Sequence, residues 1–162
     1  MEECKVQLKK IVAALDLSAY SETTFAHALT LAESLGAELV ILNVVNIAGL
    51  HALDLVRGQG LISISREDYI NNTQTERTKL FTEQYISRAG SVPVRVESRV
   101  GVPFEEVLKF LRQEKADMVV LGTKGRTNLA GVLFGSTAEK VYRHAPCVVV
   151  SVRGQEHCRL PN

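Results

Sequence analysis

A chain of 162 residues is long enough to bury one sizeable core, and its length favours a single domain. Nineteen basic against eighteen acidic side chains leave a net charge of +1, without the basic excess that obligate nucleic-acid binding requires. Three cysteines, Cys4, Cys147 and Cys158, form neither a disulfide framework nor a metal spacing; no apolar run reaches membrane length and the N-terminus lacks a secretory h-region, so the expectation is a cytoplasmic protein with no nucleic-acid and no membrane partner.

Residues 8–15 predict a first strand. Its run Ile11, Val12, Ala13, Ala14, Leu15 is apolar throughout, as strands buried on both faces of a parallel sheet are. Asp16 follows at its carboxyl end, and Ser18 and Ser21 are candidate N-caps of the next helix. Phe25, Ala28, Leu29, Ala32 and Leu35 recur at helical spacing up to Gly36, a candidate C-cap. Residues 37–45 read as a second buried strand. The segment 46–62 holds His51, Asp54, Arg57, Gly58 and Gly60 and reads as a long loop. Ser63 or Ser65 then caps a polar helix running to about Ala89, with a thin apolar stripe and an early end, around Asn71 to Thr73, standing clear of the core.

Residues 92–100 alternate, with Val94, Val96 and Ser98 on one face and Arg95, Glu97 and Arg99 on the other, the pattern of a partly wet edge strand. Gly101 and Pro103 turn into a helix whose apolar face is Phe104, Val107, Leu108 and Leu111. The buried run Met118 to Leu121 ends at Gly122. Gly125 comes next, then Gly135, Ser136 and Thr137 open a fourth helix, and the run Cys147 to Val150 makes the last strand, with Cys147 expected as a small core residue. Strict alternation of strand and helix predicts an α/β fold: a single-domain, doubly wound, five-stranded parallel sheet with helices on both faces, Rossmann-like, in the order 3-2-1-4-5. The domain spans residues 1–153, and 154–162 form a flexible tail. In such sheets ligands sit beyond the carboxyl ends of the strands where the order reverses, which is where Asp16, Val45, Gly122 and Gly125 fall.

The set Gly122, Gly125, Gly135 with Ser136 carries the strongest chemical signal. Glycines admit an anion close to backbone N–H groups, and a helix start offers unpaired N–H groups and the positive end of a dipole. The plainer reading is turn glycines and a helix N-cap serine. The spacing is neither a Walker loop nor GxGxxG. Lys124 and Arg126 are placed to neutralise phosphate charge or, equally, to be solvated loop charges. The hydroxyls of Thr123 and Thr127, in the same loop, are placed to reach phosphate oxygens. Asp16 reads two ways, as a ligand contact or as a turn former. His27, His51, His144 and His157 are scattered and pair with no carboxylate or cysteine at metal spacing.

Gly122-x2-Gly125-x9-Gly135-Ser136 resembles the nucleotide-binding signature of the universal stress protein family. The likeness extends through Asp16-x-Ser18, Gly101-x-Pro103 and Ala145-Pro146-Cys147-Val148-Val149-Val150, covering about residues 9–152. It implies an adenine nucleotide, ATP or else ADP or AMP, at the carboxyl edge of the sheet. Position by position, Gly122, Gly125, Gly135, Ser136 and Thr137 correspond to the phosphate and ribose loop. Asp16 matches the residue near ribose and phosphates, often beside a divalent ion such as Mg²⁺ or Mn²⁺. Ala14 and Val44 match strand-end positions whose backbone faces the adenine. The resemblance also implies a homodimer through the last strand, Val148–Val152, and an unidentified downstream protein partner. Two functions of different class remain: a dimeric ATP-binding stress regulator with slow or no hydrolysis, and a slow ATPase or nucleotidyl-transferring enzyme. A nucleotide-free dimeric adaptor is the third.

Overall fold

The computed structural model describes residues 7–47, 65–124 and 134–154. Strands β1 (Lys10–Ala14), β2 (Glu38–Asn46), β3 (Val94–Gly101), β4 (Met118–Gly122) and β5 (Val148–Val152) form one sheet, all neighbours parallel, in the order β3-β2-β1-β4-β5. Among the described residues four α-helices accompany them: α1 (Ser21–Leu35), α2 (Arg66–Tyr85, extended by a 3-10 turn over Ile86–Arg88), α3 (Pro103–Gln113) and α4 (Ser136–His144). This is the doubly wound order expected from the alternating pattern. No described helix is long and apolar enough to cross a membrane.

The strands read as unbroken apolar runs because both faces are covered. Ile11, Ala13, Leu39, Ile41 and Val120 face one side, where Phe25, Ala28 and Ala32 of α1 and Phe81 and Tyr85 of α2 pack on them. Val12, Val40, Leu42, Val119 and Leu121 face the other, against Val107, Phe110 and Leu111 of α3 and Ala138 and Val141 of α4. Alternation along each strand thus splits the core into two layers. Each fully buried large side chain in them contributes roughly 1.5–3 kcal/mol. The third strand is at the sheet edge, as its alternation predicts: Val94 and Val96 join the α1–α2 layer, while the Arg95 and Arg99 guanidinium groups lie 6.0 and 5.2 Å from the Phe110 ring centre on the other side.

Several local expectations change. Neither Ser18 nor Ser21 caps α1: Tyr20 is the N-cap residue, with no side-chain capping bond, and Ser21 is already inside the helix. Gly36 closes α1 in the left-handed conformation at φ 62°. Ser65, not Ser63, caps α2, its Oγ accepting the Asp68 N–H at 2.9 Å. Cys147 stands one residue ahead of β5, half-buried against the α3–α4 layer rather than enclosed in a strand. Burial there pushes its thiol above the ordinary value. Residues 48–62 of the expected loop, with His51, and residues 155–162 of the expected tail, with Cys158 and His157, lie outside the described residues, as does Cys4.

The amino end of the sheet is stitched by polar groups. The Asp117 carboxylate accepts the Lys9 and Lys10 N–H groups at 2.8 and 2.9 Å, locking the starts of β1 and β4 together. The Lys10 ammonium and the Arg95 guanidinium both meet Glu114, at 2.9 and 2.6 Å. The carboxyl ends, opposite this network, are therefore the side left for a ligand.

Candidate functional site

β1 and β4 are neighbours in the sheet, with Ala14 beside Leu121, yet the chain leaves them toward opposite faces, into α1 and toward α4. A cleft of about 300 Å³ opens at this divergence, at the low end of the range for small-molecule sites. One wall is apolar, built from Ala14, Val44, Pro103, Val107, Leu121 and Val141. The other is polar and lies toward the start of α1, the end of β4 and the start of α4.

At the end of β1 the chain makes a tight turn. The Asp16 Oδ1 accepts the Ser18 N–H at 3.0 Å and the Ser21 hydroxyl at 3.3 Å. Leu17, between them, is held at φ 62°, a left-handed conformation that costs a side-chain-bearing residue about 1 kcal/mol or more. Asp16 thus forms the turn and holds the first residue of α1. It also lines the cleft, so its two readings coincide in space.

At β4 the chain runs Leu121, Gly122, Thr123, Lys124. Gly122 and Lys124 line the cleft. A Cβ on Gly122 would lie 3.0 Å from the Lys124 carbonyl oxygen and 3.0 Å from Tyr20 Cβ. The space at Gly122 is filled by the first turn of α1, so close helix packing, rather than room for an anion, explains this glycine. Thr123 is 5% exposed and absent from the cleft wall. Its N–H donates to the Val152 carbonyl at 2.8 Å, and its own carbonyl accepts the Gly135 N–H at 2.7 Å. Thr123 therefore joins β5 to the start of α4 through the main chain.

Gly135 is the N-cap residue of α4, extended at φ −71° and ψ 158°, and no side chain among the described residues caps the helix. Ser136 is thus inside the first turn and does not cap it. Gly135, Ser136, Thr137 and Ala138 line the cleft. The first amides of a helix have no intrahelical acceptor and carry the positive end of its dipole. Gly125, Arg126 and Thr127, expected in the same loop, lie outside the described residues.

The cleft also gathers residues that the sequence reading missed: Tyr20, Thr24, Asn46, Arg77, Pro103 and Val107. Pro103 had been noted only as a helix start, and Val107 only as core. Thr24 is 1% exposed, and its Oγ1 makes no hydrogen bond among the described residues. Arg77 comes from the polar helix α2, where nothing in its spacing distinguished it from solvated neighbours. Among the described residues that line the cleft, Arg77 and Lys124 oppose the single carboxylate of Asp16. Among the described residues no group of three His, Cys, Asp or Glu side chains could hold a metal.

The model of the Universal stress protein family matches residues 7–153. The chain is 32% identical over 146 residues to Universal stress protein MJ0531 of Methanocaldococcus jannaschii, spanning 90% of this chain and 82% of that protein. Universal stress protein UspA from Lactobacillus plantarum has the same fold, with a TM-score of 0.70 at 26% identity over 92% of this chain and all of that one. A universal stress protein solved in complex with cAMP aligns with a TM-score of 0.62 at 21% identity, over 93% of this chain and 100% of that one. With the family model matched across nearly its whole length and an archaeal relative above 30% identity, the chain belongs to the universal stress protein family.

Proposed function

We propose that this universal stress protein binds an adenine nucleotide, ATP or its lower phosphates, in the cleft at the ends of β1 and β4, and acts in the cytoplasm as a dimer with slow or no hydrolysis. The observation that carries this reading is the pairing of an apolar slot with the open N-terminus of α4 in one cleft at the sheet's reversal point. A flat base suits the slot formed by Val44, Val107 and Val141. Phosphates suit Ser136 and Thr137 with Lys124 beside them, and the loop residues Gly125, Arg126 and Thr127 enter through the motif that contains them. The excess of Arg77 and Lys124 over Asp16 favours an anion. Thr24 Oγ1, buried on the cleft wall without a partner among the described residues, fits a site completed by a ligand or a water. The relative solved with cAMP holds an adenine nucleotide on the same fold.

A divalent ion would arrive with the phosphates, Asp16 supplying one carboxylate beside phosphate oxygens and water. The wall chemistry supports slow hydrolysis: its one described carboxylate, Asp16, is engaged in the turn, accepting two hydrogen bonds through Oδ1. For the dimer, β5 is an edge strand whose Val148 is 47% exposed, and Tyr142 of α4 is 63% exposed. An apolar edge of this kind invites pairing with a second copy. Calorimetric titration of the purified chain with ATP and Mg²⁺ tests the reading, together with mass spectrometry of nucleotide released on denaturation. Binding in the micromolar range is expected. No binding at millimolar ATP would overturn it, and a monomer by sedimentation at micromolar protein would overturn the β5 pairing.

A further inference from the structure

Asn43 and Arg77 meet at the cleft and belong to none of the contacts expected from the motif. Asn43 is 1% exposed within the mostly apolar β2. A buried amide persists where its hydrogen bonds are made. Its Nδ2 donates to the Leu15 carbonyl at 2.7 Å, next to the Asp16 turn, and its Oδ1 accepts from Arg77 Nη1 at 3.2 Å. The same Arg77 nitrogen lies 3.4 Å from the Val44 carbonyl oxygen. Asn43 thus positions Arg77 at the end of β2.

Strand parity decides what Val44 offers. The N–H and C=O groups of successive residues point to alternate sides of a strand. In β2 the Leu39 N–H donates to Pro93, on the β3 side, and the Leu42 carbonyl accepts from Leu15, on the β1 side. Val44, two residues past Leu42, also faces the β1 side, but β1 has ended at Ala14. Its N–H and C=O are therefore presented to the cleft, where a base in the apolar slot meets them much as another strand would. The Arg77 guanidinium stands at that same edge.

On the nucleotide reading above, we infer that Arg77 sets the preference of the cleft between 6-amino and 6-oxo purines. Adenine carries a donor at C6 and an acceptor at N1. The Val44 carbonyl suits that amino group, but Arg77 donates to the same oxygen and sets N–H against N–H. Hypoxanthine carries a carbonyl at C6, which accepts from the guanidinium. Arg77 therefore weakens adenine, strengthens hypoxanthine and narrows a selectivity that the bare strand edge would hold in favour of adenine. At 3.4 Å the Arg77–Val44 contact is at the long limit of a hydrogen bond, so exchanging it for a ligand costs little. One hydrogen bond with a charged donor gained or lost corresponds to about a tenfold change.

The test titrates the full chain with ATP and with ITP, which share their phosphates, so that charge effects cancel in the ratio of the two dissociation constants. Arg77→Met is expected to raise the ratio of ITP to ATP dissociation constants about tenfold. Because that change leaves Asn43 Oδ1 without its partner, Arg77→Gln is measured beside it; its amide keeps a donor for Asn43 without the charge, and the ratio is expected to rise in the same direction. Binding of both nucleotides with a ratio moved less than about twofold by either substitution overturns the inference alone. If the wild-type chain binds neither ATP nor ITP, the nucleotide reading fails and this one with it.

Discussion

Gly122→Ala separates two reasons for a glycine at the end of β4. If the residue keeps a path open for an anion, the methyl group will act on ligand affinity. If it admits the first turn of α1, the methyl group will act on stability first. The distances favour the second reason: the new Cβ would stand 3.0 Å from the Lys124 carbonyl oxygen and from Tyr20 Cβ, and 3.5 Å from Thr24 Oγ1. The two nearest neighbours are a main-chain oxygen and a Cβ, which move only with their backbone. Overpacking of this kind costs about 1–3 kcal/mol. In a chain of this size each kcal/mol lowers the melting temperature by about 2–4 °C, so a drop of roughly 2–12 °C is expected. Since α1 starts beside the Asp16 turn, ATP affinity should weaken as well. Far-ultraviolet circular dichroism suits the melt, the chain having no Trp. Gly36→Ala is the control: nothing lies within 4 Å of its Cβ, but its φ of 62° is strained for alanine, so it should lower the melt by the cost of a left-handed residue and leave ATP binding intact. A Gly122→Ala protein that melts with the wild type, whether or not it has lost ATP, refutes the packing argument.

Lys115 closes α3 at φ 50°, with the Ala116 N–H donating to the Leu111 carbonyl at 3.0 Å. Glycine takes that conformation without strain, so Lys115→Gly should stabilise the chain by about 1 kcal/mol, and an unchanged or lower melt would contradict it. Lys10 and Arg95 hold the Glu114 carboxyl below its ordinary value of 4.5, and Glu114 and Glu38 hold the Lys10 ammonium above 10.5. The Glu114 contribution is therefore complete above about pH 4.5 and lost as pH falls through its folded value, whereas that of Lys10 is complete below about pH 10.5 and lost as pH rises further. Melting temperatures of wild type and Glu114→Gln should differ at neutral pH and converge in acid; a gap that stays constant down to pH 3 or so would refute the ion-pair origin.

What the sequence disclosed and what it hid follow from range. β1, β2 and β4 are legible because burial on both faces writes an unbroken apolar run, and the edge position of β3 because Arg95, Glu97 and Arg99 alternate with Val94, Val96 and Ser98. The backbone-forming part of the cleft, Asp16, Gly122 and Gly135 with Ser136, is legible because a turn and a helix start restrict residue type locally. Arg77 and Thr24 are not, since their places depend on how α2 and α1 sit on the sheet, which no local spacing records. Nor does spacing tell why a glycine is needed: Gly122 belongs to a phosphate-loop pattern, yet the atoms around it are the Lys124 carbonyl and the start of α1. Asp117 was passed over for the same reason, its partners Lys9 and Lys10 being more than a hundred residues away.

Thr123 shows how the cleft and the proposed dimer edge are joined. As a loop hydroxyl it was expected to reach phosphate; buried and off the cleft wall, it instead receives the Gly135 N–H at 2.7 Å and donates its own to Val152 at 2.8 Å. The N-cap of α4 and the end of β5 thus share one peptide unit on each side of Thr123. This link is made of main-chain groups, so Thr123→Val should leave ATP affinity within about twofold of wild type, and a loss of tenfold or more would mean that the hydroxyl touches the ligand. A ligand that tightens the first turn of α4 must then also act on β5. By linkage, whatever factor ATP applies to the dimer dissociation constant, dimerisation applies to the ATP dissociation constant. Sedimentation with and without ATP, and ATP titration at protein concentrations above and below the dimer constant, measure the same factor from two sides. Equal factors clearly above one are expected, and a dimer constant that ATP does not move would show that the Val152–Thr123–Gly135 connection transmits nothing.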